Sequence, residues 1–246
     1  MVKTDNTPTT KNHMSVVAHL SELRRRIIIS LIAIVVGAIF CFWQSPRIIG
    51  FFLDYYRDAT DGARNSFIFI GPLDAFATRL KVATYGGIVL ALPIWLWQLW
   101  RFITPGLNPK EKRYAVPFII ASLVLFALGA FVALLTLPEA LKFLLNIGGQ
   151  EQQPLLTADK YIGLVSIMLL AFGLSFEFPV ILVFLLITRV VSTDQLRGFR
   201  RWALVLIFVF AAVITPSQDP YSLFLMALPM YAFYEICIII GRVMKR

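Results

Sequence analysis

Residues Tyr114–Leu137 read YAVPFIIASLVLFALGAFVALLTL, twenty-four in a row without a formal charge. A helix rises about 1.5 Å per residue, so this run covers about 36 Å, more than a bilayer core of about 30 Å. Five further apolar runs flank it: Ile27–Trp43, Val82–Trp100, Tyr161–Ile187, Trp202–Ile214 and Tyr221–Gly241. The chain of 246 residues is 59% apolar and 15% charged, with mean hydropathy +0.77. Soluble domains are about 45–50% apolar and about 25% charged, so a soluble fold and a disordered chain are both excluded. A disulfide scaffold is excluded too, because the two cysteines, Cys41 and Cys237, each lie inside an apolar run. The expectation is an all-α membrane protein: one transmembrane domain of six helices over 15–246. Residues 1–14 are polar and Thr-rich without an apolar stretch, and are read as a disordered leader, not a signal or transit peptide.

The fifth run holds only thirteen residues, about 20 Å of helix, and the sixth is interrupted by Glu235. Together they read as a short helical hairpin closed by the Thr215–Pro220 turn, with bilayer thinning or snorkelling to match. Between the first two runs, Ile48–Tyr56 suits a short helix lying at the membrane interface. With six spans both termini share one side. That side carries sixteen Lys and Arg against seven on the other, and four acids against eight. The positive-inside rule therefore puts both termini in the cytoplasm.

Chemistry is sparse. The two histidines, His13 and His19, precede the first span, so a serine at membrane depth has no such base within reach. No Cys/His spacing suits a metal and no Gly-rich phosphate loop opens a helix, so no cofactor, metal or nucleic acid is expected. Glu177 stands out. A carboxylate near mid-span is costly unless paired, protonated or wetted, which points to function. Pro179 leaves the carbonyl of Ser175 without its helical donor and Ser175 adds a hydroxyl, so the two form a candidate intramembrane polar site. On residues alone, a proton-coupled transporter of a small solute using Glu177 stays open, as does a purely structural kink.

Four motifs occur in register with the six runs. His19-Leu20-Ser21-Glu22-Leu23-Arg24-Arg25-Arg26 precedes the first, and Phe102-Ile103-Thr104-Pro105-Gly106-Leu107-Asn108-Pro109-Lys110-Glu111-Lys112-Arg113 follows the second. Phe172–Pro179 lies in the fourth. Thr215-Pro216-Ser217-Gln218-Asp219-Pro220, followed by Ala227–Tyr231 and Glu235, makes the last hairpin. From about Val16 to Arg242 the chain closely resembles the TatC family, the large subunit of the twin-arginine protein translocase. One departure is Lys110, where family members often carry histidine. The resemblance implies a receptor, not an enzyme, in the bacterial cytoplasmic (inner) membrane. It would recognise folded precursors by the paired arginines of their signal peptides. It would work with single-span partner subunits, self-associate in a larger complex, and depend on the proton motive force without nucleotide.

Within that resemblance, Glu22 and Glu111 are expected to receive the two arginines. Asp5 lies in the leader and Asp194 beyond the fourth span, which leaves these two acids at the bases of spans one and three. Structural alternatives remain. Glu22 can pair with Arg25 or Arg26 at i+3 and i+4, and Glu111 can close a capping box behind Asn108 and Pro109. His19, Leu20, Arg24 and Phe102 complete the expected signal-peptide face. The alternatives there are an exposed histidine, an interfacial phenylalanine, and arginines that fix topology and meet anionic lipid. Trp202, Leu206 and Phe210 on span five, with Pro216, Gln218 and Asp219 at its end, form the expected docking edge for partner helices. Glu235 is expected to reach toward Arg242, and Met226 and Met230 to pack.

Overall fold

The first apolar run and its amphipathic continuation form one helix, α1, Val16–Ala59, 44 residues long. The computed structural model describes residues 16–59, 69–103, 115–147 and 157–244. At about 1.5 Å per residue α1 is about 66 Å long, twice the bilayer core. Ile48–Tyr56 is therefore not a separate interfacial helix. Its apolar side finds protein: Phe52 and Tyr56 are buried, the Tyr161 hydroxyl donates to the Phe52 carbonyl at 2.7 Å, and the Tyr56 and Tyr161 rings lie 5.2 Å apart. Pro46 is carried inside the helix.

The second run is broken. α2, Asp74–Leu90, and α3, Leu92–Ile103, meet at Ala91 with a bend of 49°. Pro93 cannot donate to the helix and its ring crowds the preceding turn. The Trp95 indole N–H bonds the Ile88 carbonyl at 3.2 Å, satisfying a backbone group at the break. α4, Ala115–Asn146, is one helix. The fourth run splits into α5, Ala158–Ser175, and α6, Phe178–Ile187, with Glu177 at the N-cap position of α6 and Pro179 in its first turn. α7 covers Thr193–Ile214 and α8 Pro220–Val243.

The thirteen-residue fifth run is the apolar part of the 22-residue α7. Ser192 and Gln195 form a capping box, so the helix begins on polar residues and carries Asp194, Arg197, Arg200 and Arg201 before the apolar part starts. Among the described residues, four helices are long and apolar enough to cross a membrane, five if the bent α2–α3 pair is one span, with α5–α6 taken together. α7 falls outside that set because its apolar part is short.

α8 contributes to the largest core cluster. Met226, Ala227, Tyr234, Cys237 and Ile238 are buried, with α4, α6 and α7 against it. Met226 and Met230 do pack, and the Met226 sulfur also accepts from the Ser175 and Thr215 hydroxyls at 3.9 and 3.7 Å. α4 joins the two broken spans. Near the breaks, Phe126 is buried with Leu92 and Leu96 and lies against Gly173. At the end holding the start of α1, Trp100 stacks on Phe118 at 4.8 Å while Phe184 of α6 meets both edge-on.

α1 and α2 cross closely because Gly87 has no side chain: a Cβ there would lie 2.6 Å from the Ala38 nitrogen. Gly87→Ala should force the helices apart and cost about 1–3 kcal/mol, read as a lower thermal midpoint of the purified protein in detergent. Gly50→Ala is the control, since nothing lies within 4 Å of that position. An equal midpoint for both would show that the crossing tolerates a methyl group.

Candidate functional site

At the start of α1, residues 19, 22, 26 and 30 recur at helical spacing on one stripe. His19 stacks on Phe102 of α3, with ring centroids 4.4 Å apart and planes 20° from parallel. Glu22 Oε1 accepts from Arg26 Nη2 at 2.9 Å, and Arg26 Nη1 donates to Gln98 Oε1 at 2.9 Å. Ser30 closes the stripe by donating to the Arg26 carbonyl. The α1–α3 junction thus brings together three of the expected residues, His19, Glu22 and Phe102. Leu20 and Arg24 are exposed on a second stripe, about 100–140° round the helix from His19. Glu111, with Asn108 and Pro109, lies outside the described residues.

Sequence reasoning offers Arg26, like Arg25, as a structural partner of Glu22 as well as a topology and lipid contact, and the pair forms at the i+4 spacing. Gln98 is not singled out at all. Gln98 is the one amide inside Val82–Trp100 and is 9% exposed. An amide in an apolar run is itself a sign of a buried partner.

Glu177 is buried at the α5–α6 break, 9% exposed, with Oε1 unpartnered. Ser122 of α4 is placed to donate to the carboxylate. The Ser175 hydroxyl turns instead to the Ala171 carbonyl at 2.6 Å and to Met226, so it does not meet Glu177. The break is the one expected from Pro179, but the polar partner comes from α4.

On α7, Trp202, Leu206 and Phe210 are exposed, while Ala203, Ile207 and Ala211 face inward. Between α6 and α7, floored by Met230 and Tyr234 of α8, runs an apolar groove of about 1170 Å³ whose walls include Leu174, Phe178, Leu206 and Phe210. Ser175 lines it; Glu177 does not. Asp219 turns inward: it is 1% exposed, caps α8 by accepting from Ser222 N at 2.7 Å, and takes a bond from the Ser217 hydroxyl. Pro216 is half-buried, and Gln218 is exposed with φ at 49°. Glu235 pairs with Arg200 of α7 at 2.7 Å, not with Arg242, and Tyr231 donates to its other oxygen at 3.3 Å. An inter-helix partner across the α7–α8 contact leaves no need to snorkel.

Among the described residues, no group of three His, Cys, Asp or Glu could hold a metal ion. The polar groups sit in ion pairs, caps and one buried carboxylate. Apolar helices long enough to cross a bilayer, with two spans broken at prolines, define a polytopic membrane protein. The family model described as TatC, Sec-independent protein translocase protein, matches residues 18–229, and the chain belongs to that family. A Sec-independent protein translocase protein TatC of Frankia casuarinae is 43% identical, covering 94% of this chain and 66% of the relative. A namesake from Carboxydothermus hydrogenoformans is 38% identical, covering 94% of each. A crystal structure of the twin-arginine translocase receptor TatC is 36% identical, with TM-score 0.76, covering 93% of this chain and all of that one.

Proposed function

We propose that this chain is the receptor subunit of a twin-arginine translocase, with six membrane passes, both termini in the cytoplasm, and residence in the bacterial cytoplasmic membrane. The reading is carried by one observation: Glu22 lies about one helical turn after His19 on α1, and the His19 ring stacks on Phe102 of α3. A carboxylate next to flat ring faces suits a guanidinium, which pairs bidentately with the one and stacks on the other. Glu111, in the segment between α3 and α4, would take the second arginine. Transport would draw on the proton motive force without nucleotide.

Partner subunits of one span would dock along α7, on the face of Trp202, Leu206 and Phe210 beside the apolar groove, with Gln218 at its outer end. A helix packed there would cover lipid-facing aliphatic surface, so contact would rest on shape, not on a small-residue seam. Copies of the chain would associate in a larger complex. Glu177 would offer a polar contact to a helix entering beside the α5–α6 break.

Three measurements test these assignments. Glu22→Gln/Glu111→Gln membranes should lose the preference for Arg-Arg over Lys-Lys precursors and bind roughly tenfold more weakly or worse, the scale of a charge-assisted hydrogen bond. An undiminished preference, with partner assembly intact, would place the twin-arginine site elsewhere. Single cysteines along Trp202–Ile214 should crosslink a partner helix on one face; crosslinks to α4 instead would move the docking edge. Glu177→Gln should be mild, and Glu177→Leu should impair transport while leaving a folded protein. Full activity in both would remove any part for the carboxylate.

A further inference from the structure

Glu22 already holds an arginine. Its Oε1 takes Arg26 Nη2 at 2.9 Å, and the same guanidinium reaches Gln98 Oε1 across the α1–α3 contact, also at 2.9 Å. The pair is largely out of water, with side-chain exposures of 17% for Arg26 and 20% for Glu22, and Gln98 is 9% exposed. Arg26 Nε is buried without a partner, so this cation depends on its two terminal bonds. An arginine arriving from a peptide meets a carboxylate engaged by a group of identical chemistry.

We infer that Arg26 is an internal competitor for the signal-peptide arginine at Glu22, and that Gln98 sets how readily it yields. This rests on the proposed reading that Glu22 receives such an arginine. A guanidinium has five donors in a fixed fork, so Arg26 can release Nη2 from Glu22 while Nη1 stays on Gln98. Without Gln98, release would leave a buried cation with no partner at all, which is strongly unfavourable. With Gln98, one bond survives the exchange. The amide carries no charge, so Arg26 returns to the carboxylate when the peptide departs. Gln98 is thus a positioning residue that makes capture reversible. Because displacement precedes either ligand, the competition lowers affinity for Arg-Arg and Lys-Lys peptides by one common factor and leaves their ratio alone.

The experiment measures binding of fluorescent Arg-Arg and Lys-Lys signal peptides to membranes holding the full chain. Arg26→Gln should tighten both on the order of two- to tenfold, the range between a weak helical ion pair and a charge-assisted bond, with their ratio unchanged. Gln98→Ala should weaken both, because Arg26 then stays on Glu22. The double variant should bind like Arg26→Gln, since Gln98 acts only through Arg26. Unchanged or weaker binding in a folded Arg26→Gln protein overturns the inference, as does a Gln98→Ala loss that persists in the double variant. If Arg26→Gln does not fold, Arg26→Lys is read in its place. Lysine has three donors but lacks the rigid fork that fits both partners here, so a smaller gain of the same sign is expected; no gain there overturns the inference. Glu22→Gln separates the two ideas. If it leaves wild-type binding intact, the peptide site itself lies elsewhere. If it weakens binding while Arg26→Gln does not strengthen it, the site stands and the competitor does not.

Discussion

Inside a bilayer no water is on hand to bond an exposed N–H or carbonyl, so every backbone polar group must be satisfied by the chain itself. The structure follows from that constraint, most visibly where helices break. Pro93 and Pro179 each remove a helical donor, and backbone carbonyls beside both breaks find donors locally. The Trp95 indole takes the Ile88 carbonyl at the first. At the second, the Glu177 carbonyl accepts from Val180 and Ile181 at 3.0 and 3.2 Å, starting α6 at once. Both breaks face α4, where Phe126 fills the space between them.

The same constraint governs the side chains. Charges near the membrane are paired between helices: Lys81 of α2 with Asp159 of α5 at 2.7 Å, and Arg200 of α7 with Glu235 of α8 at 2.7 Å. Tyr161 and Tyr234 hydroxyls reach backbone carbonyls on α1 and α7, each at 2.7 Å. Such bonds fix which helices are neighbours, whereas aliphatic contact alone would let them slide. Glu177 differs: among the described residues it joins no ion pair, and its carboxylate is buried with Oε1 unpartnered. The Glu22–Arg26–Gln98 chain is of the paired kind, yet it lies near the start of α1, one helical turn from the stacked His19–Phe102 pair, where the proposed peptide arginine would compete for it.

Much of this was legible in the sequence, because the bilayer sets helix length through composition alone. The described part of each apolar run lies in helix, the fourth breaks beside Pro179, and Met226 and Met230 pack, all as read, although the second and fourth runs each form two helices. The described parts of the TatC motifs lie at the α1–α3, α5–α6 and α7–α8 junctions. What failed to show was the answer to who lies next to whom. Ile48–Tyr56 looked like a surface helix because its apolar side is visible in sequence, but its partner, the start of α5, is more than a hundred residues away. α7 looked short because its polar first turns carry no hydropathy signal, although Ser192 and Gln195 mark its true beginning.

The functional residues divide the same way. Sequence placed Glu22, His19 and Phe102 by motif, and local spacing sufficed to suggest a Glu22–Arg26 pair, since i and i+4 always adjoin on a helix. Gln98 joins that pair only because α3 bends 49° from α2 and crosses the foot of α1. Asp219 read as an outward polar group, and the fold turned it inward to cap α8; Glu235 found Arg200 on another helix instead of Arg242 on its own. Composition and periodicity fixed the helices and their motifs because those depend on neighbours along the chain. The tertiary structure alone decided the partners of the buried polar groups, because a helix's polar face carries no record of which distant helix will come to lie against it.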